Sequence, residues 1–312
     1  MLTLLLASPR ALPAQGGGAR AGVLLETPGT ARALALGGAY AAVVGDEGSV
    51  FVNPAGMAPV RRLAIGGSFE EDFLGARLTS AAGVLRVGRF DIGFGAMLLD
   101  FGGDSVVVPD PATGGVFGTT AGGTITAYNL LGIGAVAYRR GMISLGASAK
   151  VLRERIDDGT TTDYSANGVT GDLGLAIAVF DLMAFGAVVQ NVAGTLTTSG
   201  TATSALPRTT RLGFTINFID PQGTMRLMTT ADWIAPPGGD SHWAVGLEGG
   251  VSAGTVGFVA RAGFAFGRSA TDRTTTSYGG GIVVRGLRVD YGYQGWGATG
   301  AASHRIGLRW IP

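Results

Sequence analysis

The residues able to do chemistry in this chain are charged side chains set at two-residue intervals within short apolar segments. Arg288 and Asp290 alternate with Leu287, Val289 and Tyr291. Glu248 lies opposite the face formed by Trp243, Val245 and Leu247, and Arg261 lies opposite Phe258, Ala260 and Ala262. Period two sends such residues to opposite sides of a strand. The same alternation puts Lys150, Asp172, Arg226, Asp232, Arg305 and Arg309 on the polar face. Both signs are present, so the expected chemistry is ion pairing around a filled interior. An open selectivity filter would need rings of one sign.

Catalytic and metal chemistry find little to work with. His242 and His304 are the two histidines, and neither has a second ligand at metal spacing. The absence of cysteine excludes a disulfide framework, a thiolate metal site and a thiol nucleophile. Ser303 and His304 are adjacent, so within a strand they point apart and form no dyad. The sequence has no Gly-x-Ser-x-Gly elbow. Its glycine pairs at 33–42 and 279–281 lack the strand, turn and helix context of a nucleotide site. Asp157-Asp158 and Glu70-Glu71-Asp72 read as solvated loop acids rather than a Ca²⁺ cage. The expectation is a non-enzymatic protein with no cofactor and no metal. A formal net charge of +1, with dispersed basic residues, gives no case for a nucleic-acid partner.

The elements that must position these charges are strands. The 312-residue chain is 46% hydrophobic and 14% charged, yet it has no uninterrupted run of the ~18 apolar residues that a membrane-spanning helix needs. Its mean hydropathy of +0.34 is spread instead over many short alternating segments. From Leu63 onward these segments are roughly ten residues long and predict an all-β transmembrane antiparallel barrel of about 14 strands. The connections alternate in length. Short ones fall at Gly88-Arg89, Arg140-Gly141, Asp181, Ile219–Gly223, Ala253-Gly254 and Arg285-Gly286. Long ones fall at Gly102–Gly123, Glu154–Asn167, Val192–Arg208, Ala235–Ser241, Ser269–Thr276 and Gly295–Ser303. That sorting places tight turns at one end and loops at the other, as in outer-membrane barrels. Trp233, Trp243, Tyr293 and Trp310, near strand ends, fit an interfacial aromatic girdle.

Ahead of the barrel, residues 1–14 read as a signal peptide, with Leu2–Ala7 as its apolar core and Leu12-Pro13-Ala14 as the cleavage site. No basic n-region precedes that core, as expected if the true start lies upstream. Residues 15–62 form a separate N-terminal unit and residues 63–312 the barrel. Within the unit, Ala31–Val44 is small and apolar and reads as a short helix. An acidic turn follows, and Asn53-Pro54-Ala55-Gly56 is a turn forced by proline.

The order Arg32, Gly37-Gly38-Ala39-Tyr40, Asp46-Glu47 and Asn53-Pro54-Ala55-Gly56 resembles the N-terminal segment of the PorV/PorQ proteins, within the FadL-like superfamily of outer-membrane barrels. Ala187–Asn191, Leu206-Pro207, Arg288–Tyr291 and Ser303–Ile306 also look like PorV-type sequence. Gly45 departs from the pattern, standing where an acidic residue is common. The resemblance implies a hatch inside the lumen, with Arg32, Gly37, Gly38, Asp46, Asn53, Pro54 and Gly56 as its motif. Asp232, Glu248, Arg261, Arg288, Asp290 and Arg305 would then be lumen-facing charges around it. It further implies a place in the bacterial outer membrane, among its lipids. The final strand, His304–Trp310, resembles the signal read by the barrel assembly machinery, with Ile311-Pro312 following the aromatic as a departure.

The function implied is docking or helping export of secreted proteins, as in type IX secretion. The partners would be their C-terminal domains or a secretion translocon. The superfamily implies an alternative, a transporter for hydrophobic small molecules. Modest loops with few aromatics (Phe117, Tyr164 and Trp296) favour the secretion reading.

Overall fold

A computed structural model describes residues 22–60, 62–71, 75–157, 164–180, 182–200, 202–219, 224–236, 241–266, 276–296 and 301–312. The expected signal peptide (1–14) lies outside the described residues, as do residues 15–21 of the N-terminal unit, Asp181, and parts of the longer connections.

Alternating side chains and turn glycines fold the chain into strands β1 (Leu63–Glu71), β2 (Arg77–Val87), β3 (Phe90–Pro109), β4 (Gly118–Arg140), β5 (Ile143–Asp157), β6 (Tyr164–Val179) and β7 (Met183–Gln190). After a short hairpin, β8 (Thr195–Thr198) and β9 (Thr203–Ala205), come β10 (Thr209–Ile219), β11 (Met225–Ala235), β12 (His242–Ala253) and β13 (Val256–Phe266). The last are β14 (Thr276–Val284), β15 (Leu287–Trp296) and β16 (Ala301–Trp310). Each barrel strand pairs antiparallel with its chain neighbour, and β1 pairs with β16 from Ile65 opposite Trp310 to Glu71 opposite His304. The result is a closed 14-strand barrel in which each barrel strand is paired on both sides. The β8–β9 hairpin is joined to β6 and takes up the line where β7 stops.

Several expectations change, and the expected Glu154–Asn167 and Gly295–Ser303 loops are shortened by β5 reaching Asp157, β6 starting at Tyr164, β15 reaching Trp296 and β16 starting at Ala301. The Gly102–Gly123 connection is mostly strand, because its Val and Thr residues keep pairing (Val108 opposite Thr119) and leave only 110–117 as loop. β3 and β4 therefore run to 20 and 23 residues, about twice the ~9–11 that span a bilayer, and project beyond the rim. The Val192–Arg208 connection contains β8 and β9. Glu70 and Glu71 belong to β1, where Glu70 is buried and faces inward.

The N-terminal segment holds two short helices, α1 (Ala31–Ala35) and α2 (Ser49–Val52), and a tight turn at Pro54–Met57. The helix expected over Ala31–Val44 is shorter, because Gly37 and Gly38 adopt left-handed φ of 67° and 80°. Their amides close it by donating to Leu34 O and Ala33 O. Thr30 caps the start of α1, its side chain accepting from Ala33 N, and Asn53 caps the 54–57 turn by accepting from Ala55 N. α1 packs against β13–β16, while α2 and the 54–57 turn pack against β3–β6. Leu36, Tyr40, Val50 and Met57 are fully buried together with Val84, Met97, Leu131 and Ile133 of the strands.

The other face of the sheet is apolar and open: Ile143, Leu247, Phe258 and Val289 are 45–56% exposed. So broad an apolar surface is what hydrocarbon covers and water does not. Cysteine at Phe258 should therefore react with a lipid-soluble thiol probe and resist an aqueous one. Cysteine at inward Ser252 should do the reverse. Equal aqueous labelling of both would contradict a membrane-spanning sheet.

Candidate functional site

The inward charges and the N-terminal segment meet in one network. Glu248 on β12 is almost fully buried and faces three guanidinium groups. Arg32 donates to it through Nε (2.8 Å) and Nη2 (2.9 Å), Arg261 through Nε (2.6 Å) and Arg226 through Nη2 (2.5 Å). Arg261 continues to Asp290 at 2.7 Å, and Asp290 accepts from Arg288 at 2.9 Å. Bidentate pairing of this kind suits arginine's planar fork.

Asp46 is the hub on the segment side. It accepts from Arg32 (2.7 Å), the Tyr40 hydroxyl (2.7 Å) and the Gly48 amide (2.9 Å), and pairs with Arg309 at 3.0 Å. Arg309 also holds Glu47 at 2.5 Å. Burial pushes the Asp46 carboxyl up, but Arg309 and Arg32 outweigh it and hold the group below the usual carboxylate range. The Tyr40 phenol is pushed well up, by burial first and then by Asp46, so it remains a donor.

The remaining expected charges anchor other parts of the segment. Asp232 on β11 accepts the Tyr40 and Ala41 amides at 2.9 and 2.8 Å. Arg305 pairs with Glu70 and donates to the Pro28 carbonyl. Lys150 and Asp172 form a buried pair at 2.7 Å between β5 and β6, away from this network. Of the expected motif, Arg32 and Asp46 carry the network, and Asn53 donates to Ala41 O (2.7 Å) and Leu175 O (3.2 Å). Pro54 and Gly56 are buried in the turn.

Sequence reasoning passed over several anchors. Gln190 donates to Val52 O at 2.9 Å, and Arg211 reaches Gly38 O at 3.1 Å. Arg211 sits on the polar face of an alternating strand, a signal that was there to be read. Ser68 and Ser80 both donate to Gly29 O, and nothing in the sequence singles them out.

Glycines on the wall set how closely the segment approaches. A Cβ at Gly146 on β5, Gly186 on β7, Gly246 on β12, Gly263 on β13 or Gly292 on β15 would come within 3.0 Å of it. The atoms met are mostly backbone, from Ala55, Ala41, Leu36, Gly37 and Ala31. Such space exists only where no side chain stands.

Two cavities lie toward opposite ends of the barrel, and the segment lines the larger. One, of about 1100 Å³, opens at the long-loop end, with Gly37, Gly38, Gln190 and Arg211 on its floor. The other, of about 380 Å³, lies at the turn end among β11–β14. Gly38 faces the larger one: a side chain there would meet nothing within 4 Å, and only its left-handed φ opposes substitution. Among the described residues, no group of three metal-ligating side chains comes together.

Gly186→Leu should drive the Ala41 backbone off the wall at a cost of at least ~1–3 kcal/mol. Gly134→Leu, at a glycine whose Cβ would meet nothing, should be neutral in the same assay. Glu248→Gln should cost about 3–5 kcal/mol by stranding buried guanidinium charge. Denaturant unfolding of the purified variants measures all three, and a destabilised Gly134 variant beside an unaffected Gly186 variant would contradict the packing described.

No family model matches the sequence, and neither does any curated protein. Solved structures do share the fold. The toluene transporter TbuX of Ralstonia pickettii is 15% identical, with a TM-score of 0.59 over 90% of this chain and 96% of its own. The CymD monoaromatic hydrocarbon channel is 16% identical, with a TM-score of 0.60 over 91% and 96%. A Pseudomonas aeruginosa FadL homologue is 11% identical, with a TM-score of 0.55 over 91% and 99%. The chain therefore shares the fold of these FadL-type barrels, at identities that speak to architecture alone.

Proposed function

We propose that this protein is a bacterial outer-membrane barrel that passes small hydrophobic molecules inward, with residues 22–60 as the plug of its lumen. The observation that carries the reading is the cavity of about 1100 Å³ that opens at the long-loop end and stops on the N-terminal segment. Leu25, Phe101, Ile156, Tyr164 and Ile234 give it apolar surface, while Glu26, Asn129, Glu154, Arg155, Gln190, Arg211 and His242 are among a nearly equal number of polar lining residues. A concave pocket that combines apolar surface with placed polar groups is the usual form of a small-molecule site. The neighbours by fold are toluene and monoaromatic hydrocarbon transporters, which supports the same substrate class.

The secretion-docking role implied by the PorV/PorQ resemblance gains nothing from these comparisons, and the small-molecule alternative is the better supported of the two. The partners of this reading are outer-membrane lipid, the barrel assembly machinery and a hydrophobic ligand. No step of it needs an enzyme's chemistry.

Initial uptake of labelled toluene at low concentration tests the proposal, in cells whose outer membrane is intact and whose own hydrocarbon carriers are deleted. Cells making this protein should take up the label several-fold faster than cells with an empty vector. Equal rates, with the protein present in the outer membrane, would contradict it.

A further inference from the structure

The two cavities share three strands of the wall. Both are bounded by β11, β12 and β13: Ile234, His242 and Ala265 line the larger, and Arg226, Gly250 and Val259 line the smaller. Of the segment's helical parts, α1 packs against β13–β16 and α2 with the 54–57 turn against β3–β6, so β11 and β12 carry little of that packing. Between the cavities stand Leu36, seated over Gly246, and below it the Glu248 cluster.

Within that cluster Arg226 differs from the rest. Its side chain is 31% exposed, against 12% or less for Arg32, Arg261, Arg288 and Arg309. It lies flat on Gly250 of the neighbouring strand, where a Cβ would meet its Nε at 3.1 Å and its Cγ at 3.2 Å. Among the described residues its ion pair is with Glu248, and when it swings away Glu248 keeps both bonds from Arg32 and the one from Arg261. It can therefore move without leaving Glu248 unpaired, the outcome that makes breaking such clusters expensive, and its greater exposure leaves it the most room to do so.

We propose that the path for small molecules follows the β11–β13 sector and that Arg226 is its movable constriction at the turn end. This rests on the transport reading above. The smaller cavity presents Arg226 and Arg285 and no carboxylate among its lining residues, so it repels cations and admits neutral or anionic molecules.

The reporter is Met228→Cys, two residues inward of Arg226 on the same strand face, in purified protein in detergent. Its rate of modification by an anionic, membrane-impermeant methanethiosulfonate is compared with and without Arg226→Ala. The alanine variant should react at least ten-fold faster, and Arg226→Lys, which keeps charge and loses the fork, at an intermediate rate. Arg285→Asn lines the same cavity away from the cluster and should bring no acceleration, because it removes positive charge that attracts the anionic reagent and opens no constriction. A cationic reagent of the same size should react more slowly than the anionic one in the reporter protein that keeps Arg226. Retained heat-modifiable gel mobility shows that each barrel has folded. No acceleration in folded Arg226→Ala, or the same acceleration in Arg285→Asn, would overturn the proposal. Because the assay reads access rather than uptake, acceleration without toluene uptake would leave the constriction standing and remove the transport reading.

Discussion

The structure depends on keeping a set of charges paired inside a lumen from which water has been displaced. An unpaired ion in such surroundings costs several kcal/mol even after relaxation. On the wall, Arg261 finds a carboxylate on the neighbouring strand (Glu248), Arg288 on its own strand (Asp290), and Arg309 on the segment (Asp46 and Glu47). Arg32 of the segment in turn reaches Glu248 on the wall. Neither half is satisfied alone. A barrel without its N-terminal segment would strand Arg309, and a segment outside the barrel would lose the partner that fixes Arg32.

Charge sets the position of the segment, and the wall glycines set its distance. Asp232 captures the Tyr40 and Ala41 amides, but Ala41 can come that close only because Gly186 has no side chain to hold it off. The same arrangement recurs at Leu36 with Gly246 and at Ala55 with Gly146. The 55 glycines of the chain are thus in part the negative image of what the lumen contains.

Much of this was legible before any coordinates. Period-two alternation found the strands because lipid on one side and packed charge on the other leave no freedom of face, as Val289 and Asp290 illustrate. The inward placement of Glu248, Arg261, Arg288, Asp290 and Arg305 follows from the same rule. Which charge meets which could not be read. Arg32 and Glu248 are 216 residues apart, and only barrel closure together with the path of the segment brings them to 2.8 Å. The β3–β4 extension was misjudged because threonine serves loops and strands equally well. Gly38 stands in the expected hatch motif yet faces open space, since glycine spacing does not distinguish a close approach from a left-handed turn.

The central claim is that residues 22–60 close the lumen. Single-channel conductance in planar bilayers, before and after deletion of residues 31–48, tests it most directly. The strands and the terminal segment are untouched by that deletion, and water entering the opened lumen would solvate the arginines it leaves without partners, so the barrel should still assemble. The account predicts a protein that is closed or nearly closed when intact and a large, steady conductance once the segment is removed. A deletion protein that folds, inserts and remains closed would contradict it.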